Sequence, residues 1–162
     1  MKKLIIGLIL VMLSTITFCQ SKTSIEAEKA TVADLFDKYY SAINANDAAT
    51  LSSLITENAL VCGTDPSEFW NKEEITELWS QSLADTTFKA NITVNKREIR
   101  VAEDGNSAVV VEQYILPFLS SKIPIRNVSY AVKTNEKWKI DFMSFNFIPK
   151  NEDISKLNKA LE

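Results

Sequence analysis

There is no histidine anywhere in this 162-residue chain. Its absence excludes histidine-based catalytic triads and histidine-ligated zinc sites. It also removes the usual general base near neutral pH, so acid–base chemistry would fall to a carboxylate, a lysine or a tyrosine with a displaced pKa. Cysteine is almost as scarce, with Cys19 and Cys62 the two occurrences. Only 3 glycines and 4 prolines are present. No Pro/Gly-rich linker, repeat or low-complexity tract divides the chain, so one domain suffices. Positive charge is also short: 18 basic residues stand against 21 acidic ones, without a basic cluster. Nucleic acid is therefore not an expected partner, because phosphate contacts need clustered lysine and arginine. No metal and no cofactor is expected.

The first segment has a composition of its own. Met1-Lys2-Lys3 is basic, Leu4 to Leu13 is almost wholly apolar, and Ser14-Thr15-Ile16-Thr17 leads into Phe18-Cys19-Gln20. That order is the layout of a secretory signal peptide. The apolar run is shorter than the roughly 20 residues a membrane-spanning helix needs. Cleavage after Cys19 places Thr17 and Cys19 at the small-residue positions. The alternative is a lipoprotein anchored at Cys19, although the bulky Phe18 suits such a signal poorly. The expectation is a signal peptide over residues 1–19 and one domain over 20–162, exported to the periplasm or secreted. Removing 19 of 162 residues leaves 143, enough to bury roughly two thirds of the unfolded surface. The 46% hydrophobic and 24% charged composition argues against disorder. In that domain Cys62 is the sole cysteine, so no internal disulfide can form, and its apolar run Ala59-Leu60-Val61-Cys62 predicts a buried structural thiol.

Thr23-Ser24-Ile25-Glu26 has the form of a capping box. Beyond it Val32, Leu35, Phe36, Tyr39, Tyr40 and Ile43 recur every three or four residues, the mark of a long amphipathic helix. A short second helix follows Asp47 and buries Leu51, Leu54 and Ile55, then Thr56-Glu57-Asn58 turns into a strand from Ala59 to Cys62. Gly63 to Ser67 reads as a loop, and Asp65 and Glu68, ahead of the third helix, would rim a pocket or cap a helix, with capping the favoured role. Asn71 and Glu74 start a third helix with Ile75, Leu78, Trp79 and Leu83 on its buried face. The remainder reads as sheet. Phe88, Ala90, Ile92 and Val94 alternate on one parity and Ile99 and Val101 on the other, which predicts a bulge or sharp bend near Asn95–Arg97. Strands are expected over Ser107–Leu116, Ile125–Lys133 and Trp138–Phe147, with a loop over Pro117–Pro124 and a small helix over Asn151–Leu161. Helices followed by long antiparallel strands imply an α+β domain, with the bent sheet wrapped over the helices.

This order of elements resembles the nuclear transport factor 2-like superfamily and its SnoaL-like domain proteins. The resemblance rests on the first helix followed by Asn46-Asp47, on the segment Gly63 to Ile75, and on the ending Trp138-Lys139-Ile140-Asp141-Phe142-Met143-Ser144-Phe145. It spans about residues 26 to 148 and implies a cone-shaped fold with three N-terminal helices under the sheet. Within the superfamily some enzymes use a carboxylate base inside the cone, but no such carboxylate aligns here. The resemblance also implies a homodimer through the convex sheet face, and the last strand, apolar on both parities, points the same way.

A pocket inside the cone would be lined by Phe36, Tyr40, Trp70, Trp79, Tyr114, Tyr130 and Phe142. Aromatic walls with a few polar groups suit a small apolar or amphipathic ligand, although the same pattern describes an ordinary core. Glu112 shares a strand face with Val110, Tyr114 and Leu116. If that face points inward, burial raises its pKa and equips it as a base. Arg126, on the parity of Tyr130, is its expected partner, and structural pairing is the favoured role. The expected function is small-molecule binding without an assignable reaction. The alternatives are an enzyme with a carboxylate base (isomerase, cyclase or hydrolase-like) and a protein-interaction module using the sheet face.

Overall fold

A computed structural model describes residues 24–85, 87 and 89–162. The expected signal peptide and the Thr23 end of the capping box lie outside those residues. Helix α1 occupies residues 24–44 and α2 Ala48–Leu54. Strand β1 covers Ile55–Cys62, the short β2 Phe69–Trp70, and α3 Lys72–Ser82. The rest of the sheet is β3 (Lys96–Val101), β4 (Ser107–Leu116), β5 (Ser120–Thr134) and β6 (Lys137–Phe147). A 3-10 turn at Asn151–Asp153 leads into α4, Ile154–Ala160.

The six strands form one curled, unclosed sheet in the order β2-β1-β6-β5-β4-β3. All neighbours are antiparallel except β1 and β6, which run parallel. The helices pack on the concave side. Val32, Leu35, Phe36, Tyr39 and Tyr40 of α1 are buried there, as their helical spacing predicts. They meet Leu51 and Ile75 from the other two helices, and Val110, Tyr114, Ile125, Ile140 and Met143 from the sheet. Asp47 caps α2 by accepting from Thr50 N at 2.9 Å, and Asn71 and Glu74 form a reciprocal capping box on α3. Asp65 and Glu68 cap no helix. Asp65 accepts from Ser67 N and Glu68 from Asp65 N, each at 2.9 Å, so both carboxylates close their own loop.

Several sequence expectations need correction. Ile55 opens β1 instead of ending α2, and Thr56-Glu57-Asn58 lies within β1, where the pairing with β6 shifts register between Ile55 and Leu60. β5 begins at Ser120, inside the expected loop. Residues 89–95 form no strand, and the first sheet residue there is Lys96. Asn91 takes a left-handed conformation (φ 47) that no continuous strand could absorb. The predicted parity change near Asn95–Arg97 is thus made by the chain entering the sheet, not by a bulge within a strand.

A bulge does occur in β6. Tyr130 pairs with Phe142 and Ala131 with Ile140, leaving Asp141 as the extra residue. Thr56 Oγ1 donates to the Asp141 carboxylate at 2.5 Å and secures it from β1. Below the bulge Trp138 and Ile140 face inward, and above it Met143 does. The two apolar parities of the last strand are therefore largely one inward face that changes register. Cys62 is half-buried and free, not fully buried, because Val61 takes the inward position beside it.

Candidate functional site

In β4 the even-numbered residues Ala108, Val110, Glu112, Tyr114 and Leu116 are buried. The alternation of a strand therefore carries a carboxylate into the core among apolar neighbours. Glu112 stands directly opposite Arg97 of β3 and Asn127 of β5, and Asn127 opposite Phe145 of β6. One row across the concave face is thus polar over three strands.

The Glu112 carboxylate is enclosed, and both of its oxygens accept hydrogen bonds. Arg97 Nε donates to Oε1 at 2.6 Å, and the Tyr40 hydroxyl donates to Oε2 at 2.5 Å. Arg97 Nη1 also donates to Asp37 Oδ1 at 2.7 Å and to the Ala33 carbonyl at 3.4 Å. Glu112 therefore ties two strands to α1. Burial pushes its pKa above the usual carboxylate range, against the opposing pull of Tyr40 and Arg97. Burial disfavours charge on Arg97 too, but its bonds to Asp37 and Glu112 outweigh that, and its pKa stands above the ordinary value. Tyr40 is pushed strongly upward, by burial first and then by Tyr114 and Glu112, so it remains a neutral donor. The rings of Tyr39 and Tyr114 meet Tyr40 edge-on, with centroids 5.2 and 5.6 Å away. Behind them Ser129 Oγ donates to Asn127 Oδ1 at 3.2 Å. The buried Asn127 Nδ2 has no hydrogen-bond partner among the described residues.

Tyr40 and Arg97 line an open cleft of about 430 Å³, which Asp37, Ser41, Ile92, Val94, Asn95 and Lys96 complete. Its non-strand wall is held by Asn44. The Asn44 side chain accepts from Ile92 N at 3.0 Å and donates to Ile92 O at 3.3 Å, replacing a neighbouring strand, while Asn95 N donates to Gln113 O at 2.9 Å.

The predicted lining residues separate into two groups. Phe36, Tyr40, Glu112 and Tyr114 lie inside, and Trp70 and Trp79 pack half-buried against them. Tyr130, Phe142 and Arg126 lie on the other face of the sheet. Tyr130 and Arg126 are exposed, and Phe142 stands beside Tyr130 in register. Arg126 does not pair with Glu112. It occupies the opposite parity from Asn127, Glu112's true neighbour on β5, and donates to Gln113 Oε1 at 3.3 Å. The partner is Arg97, which shares its parity with Ile99 and Val101. A charged residue in line with an apolar face was the available sign of an inward arginine. Asp37 lies one turn of α1 before Tyr40, a spacing that sets both over the same strand end.

Chemically, the arrangement is a fixed polar floor: the single Tyr40 proton is committed to Glu112, so toward the cleft its hydroxyl oxygen is an acceptor and the Arg97 guanidinium is the donor. A general base must lie within hydrogen-bond reach of its substrate. Glu112 is buried behind Tyr40 and Arg97, with both oxygens occupied. What faces the cleft is a tyrosine and a guanidinium whose charge is balanced by two carboxylates.

No curated protein matches this sequence. Solved structures do resemble the fold. A nuclear transport factor 2-like protein of unknown function from Pseudomonas putida superposes with a TM-score of 0.65 at 11% identity, over 78% of this chain and 91% of that one. A cystatin-like fold protein from Burkholderia xenovorans gives 0.63 at 16% identity, over 76% and 94%. A putative calcium/calmodulin-dependent protein kinase II association domain from Xanthomonas campestris gives 0.60 at 23% identity, over 74% and 86%. These likenesses establish the nuclear transport factor 2-like architecture. The SnoaL-like domain model matches residues 32–147, well over half of the chain, and the protein belongs to the SnoaL-like domain family.

Proposed function

We propose that this domain binds a small amphipathic molecule at the mouth of the cone, in the cleft that Tyr40 and Arg97 face. The observation that carries the reading is the buried Glu112, which holds the Tyr40 hydroxyl and the Arg97 guanidinium in fixed positions at the cleft floor. Ile92 and Val94 supply an apolar wall beside them. The cleft volume lies within the ~300–1,000 Å³ range of small-molecule sites. Because Glu112 and Asp37 already neutralise Arg97, the ligand that fits is uncharged, with one hydrogen-bond acceptor at its polar end. Titration of neutral alkylphenols and cyclic ketones into 15N-labelled protein tests this. Saturable shifts should gather at residues 37–41 and 92–97 and weaken in Ile92→Asp. Ligands that leave those amides unmoved would end the reading.

We infer also that the domain is exported, on the charge, apolar and polar order of residues 1–19. Among the described residues no helix is long and apolar enough to cross a membrane. The mass of protein recovered from outside the cytoplasm discriminates the two forms. A chain beginning at Gln20 supports cleavage, an acylated Cys19 supports the lipoprotein alternative, and an intact Met1 in the cytoplasm refutes export. A homodimer through the outer sheet face completes the reading, supported by the apolar row that crosses that face.

A further inference from the structure

A second groove lies between the start of β5 and α4. Its volume is about 620 Å³. Ile123 and Pro124 of β5, Ile148 after β6, and Leu157 of α4 give it apolar walls. Ile148 N donates to Pro124 O at 2.9 Å, so the two strand ends that form the floor are fixed to each other. No residue of α4 is buried, and Ile154 is 41% exposed. The helix thus leans over an apolar trough without closing it.

Charge at the rim is one-sided. Lys122, Arg126, Lys150 and Lys156 line the groove against the single acid Asp153. Lys156 is paired with Asp153 at 2.9 Å and Lys150 with Glu152 at 3.4 Å, so those two are locally compensated. Lys122 and Arg126 are not. Among the described residues neither pairs with a carboxylate, and the neutral Gln113 is the side-chain acceptor for Arg126. Two uncompensated cations therefore stand at the rim of an apolar trough with room for a single small ligand.

We propose that this groove binds an anionic amphiphile, a carboxylate carried on a hydrocarbon chain. The chain lies along Ile123, Pro124, Ile148 and Leu157, removing that surface from water. The carboxylate is met by Arg126, whose planar fork suits a carboxylate, and by Lys122. Its charge separates it from the ligand of the cone mouth, where the guanidinium is already neutralised by two acids.

The test is a titration of decanoate, below its micelle concentration, into the 15N-labelled protein, with decyltrimethylammonium as a control of equal chain length and opposite charge. The expected result is saturable one-to-one binding, with shifted amides in residues 122–126 and 148–157. Lys122 and Arg126 are exposed, so the double variant K122Q/R126Q should fold as the parent and bind decanoate about tenfold more weakly or worse. The control should bind at least as weakly. Shifts confined to residues 37–41 and 92–97, equal affinity for the cationic control, undiminished binding by the double variant, or no saturable binding would each overturn the proposal.

Discussion

Arg97 and Glu112 face each other directly across β3 and β4, with the guanidinium Nε 2.6 Å from the carboxylate Oε1. The acid is enclosed and the base is not, since the Arg97 side chain keeps 18% of its exposure. Removing one member of such a pair leaves an uncompensated buried charge, whereas removing both charges together does not. Arg97→Met should therefore destabilise the fold by an amount near the lower end of ~3–5 kcal/mol, the cost of breaking a buried pair. The double variant R97M/E112Q keeps an acceptor for Tyr40 and should recover most of that loss. Urea unfolding of the two variants decides it, and equal losses would show that the pairing itself matters little.

The same carboxylate predicts a pH signature. Burial raises the Glu112 pKa above the unfolded value near 4.5, so in mildly acidic solution the folded state holds a proton that the unfolded state releases. Its contribution to stability is present below that value and is lost as pH rises through the folded pKa. Glu28 has the opposite sign. Its carboxyl is held low by hydrogen bonds from Lys133 and then Trp138. Its contribution is present above the unfolded pKa and is lost as pH falls. The stability difference between wild type and Glu112→Gln should thus decline with rising pH, and that between wild type and Glu28→Gln should grow. Two curves of the same slope would refute one assignment.

Gly63 permits a tight return between β1 and β2. Its N–H donates to Glu68 O at 3.0 Å, and a Cβ added there would lie 2.0 Å from the Glu68 carboxylate and 2.8 Å from Glu68 Cβ. The carboxylate could swing aside, but the Cβ is fixed to the backbone. Gly63→Ala should cost about 1–3 kcal/mol, as overpacking does. It should also loosen the Val61–Trp70 pairing, read as faster amide exchange at Trp70. An unchanged melting temperature would show that the loop has a second conformation available.

What the sequence conveyed was periodicity. The α1 face from Val32 to Tyr40 and the parity that Glu112 shares with Val110 and Tyr114 both follow from spacing, because period 3.6 and period 2 are properties of single elements. Relations between elements were not available in the same way. Ile92 and Val94 alternate as a strand does, yet the Asn44 side chain, 48 positions earlier, holds Ile92 in place of a ladder. Arg126 and Tyr130 share a parity, but nothing in that parity says which face is inward. Only the Glu112–Asn127 register places Arg126 outside. Asp141 shows the same limit, since its bulge turned one inward face into an apparent two-sided strand.

The outer face carries the last prediction. Val109, Tyr130, Phe142 and Leu60 stand opposite one another in consecutive registers across β4, β5, β6 and β1. Three of the four keep about two fifths of their exposure: Leu60 40%, Val109 41% and Tyr130 38%. An apolar row running across four strands is larger than the scattered apolar residues normal on a monomer surface. The bulge explains why Met143 faces in, but it leaves Phe142 out, so the row still needs cover. A second copy of the same face supplies it symmetrically. Light scattering should give a dimer mass for the wild type. Tyr130→Asp places a charge in the middle of the row without touching the core, and it should give a folded monomer. A wild type that is monomeric at micromolar concentration, or a Tyr130→Asp variant that still dimerises, would remove the outer face as the subunit interface.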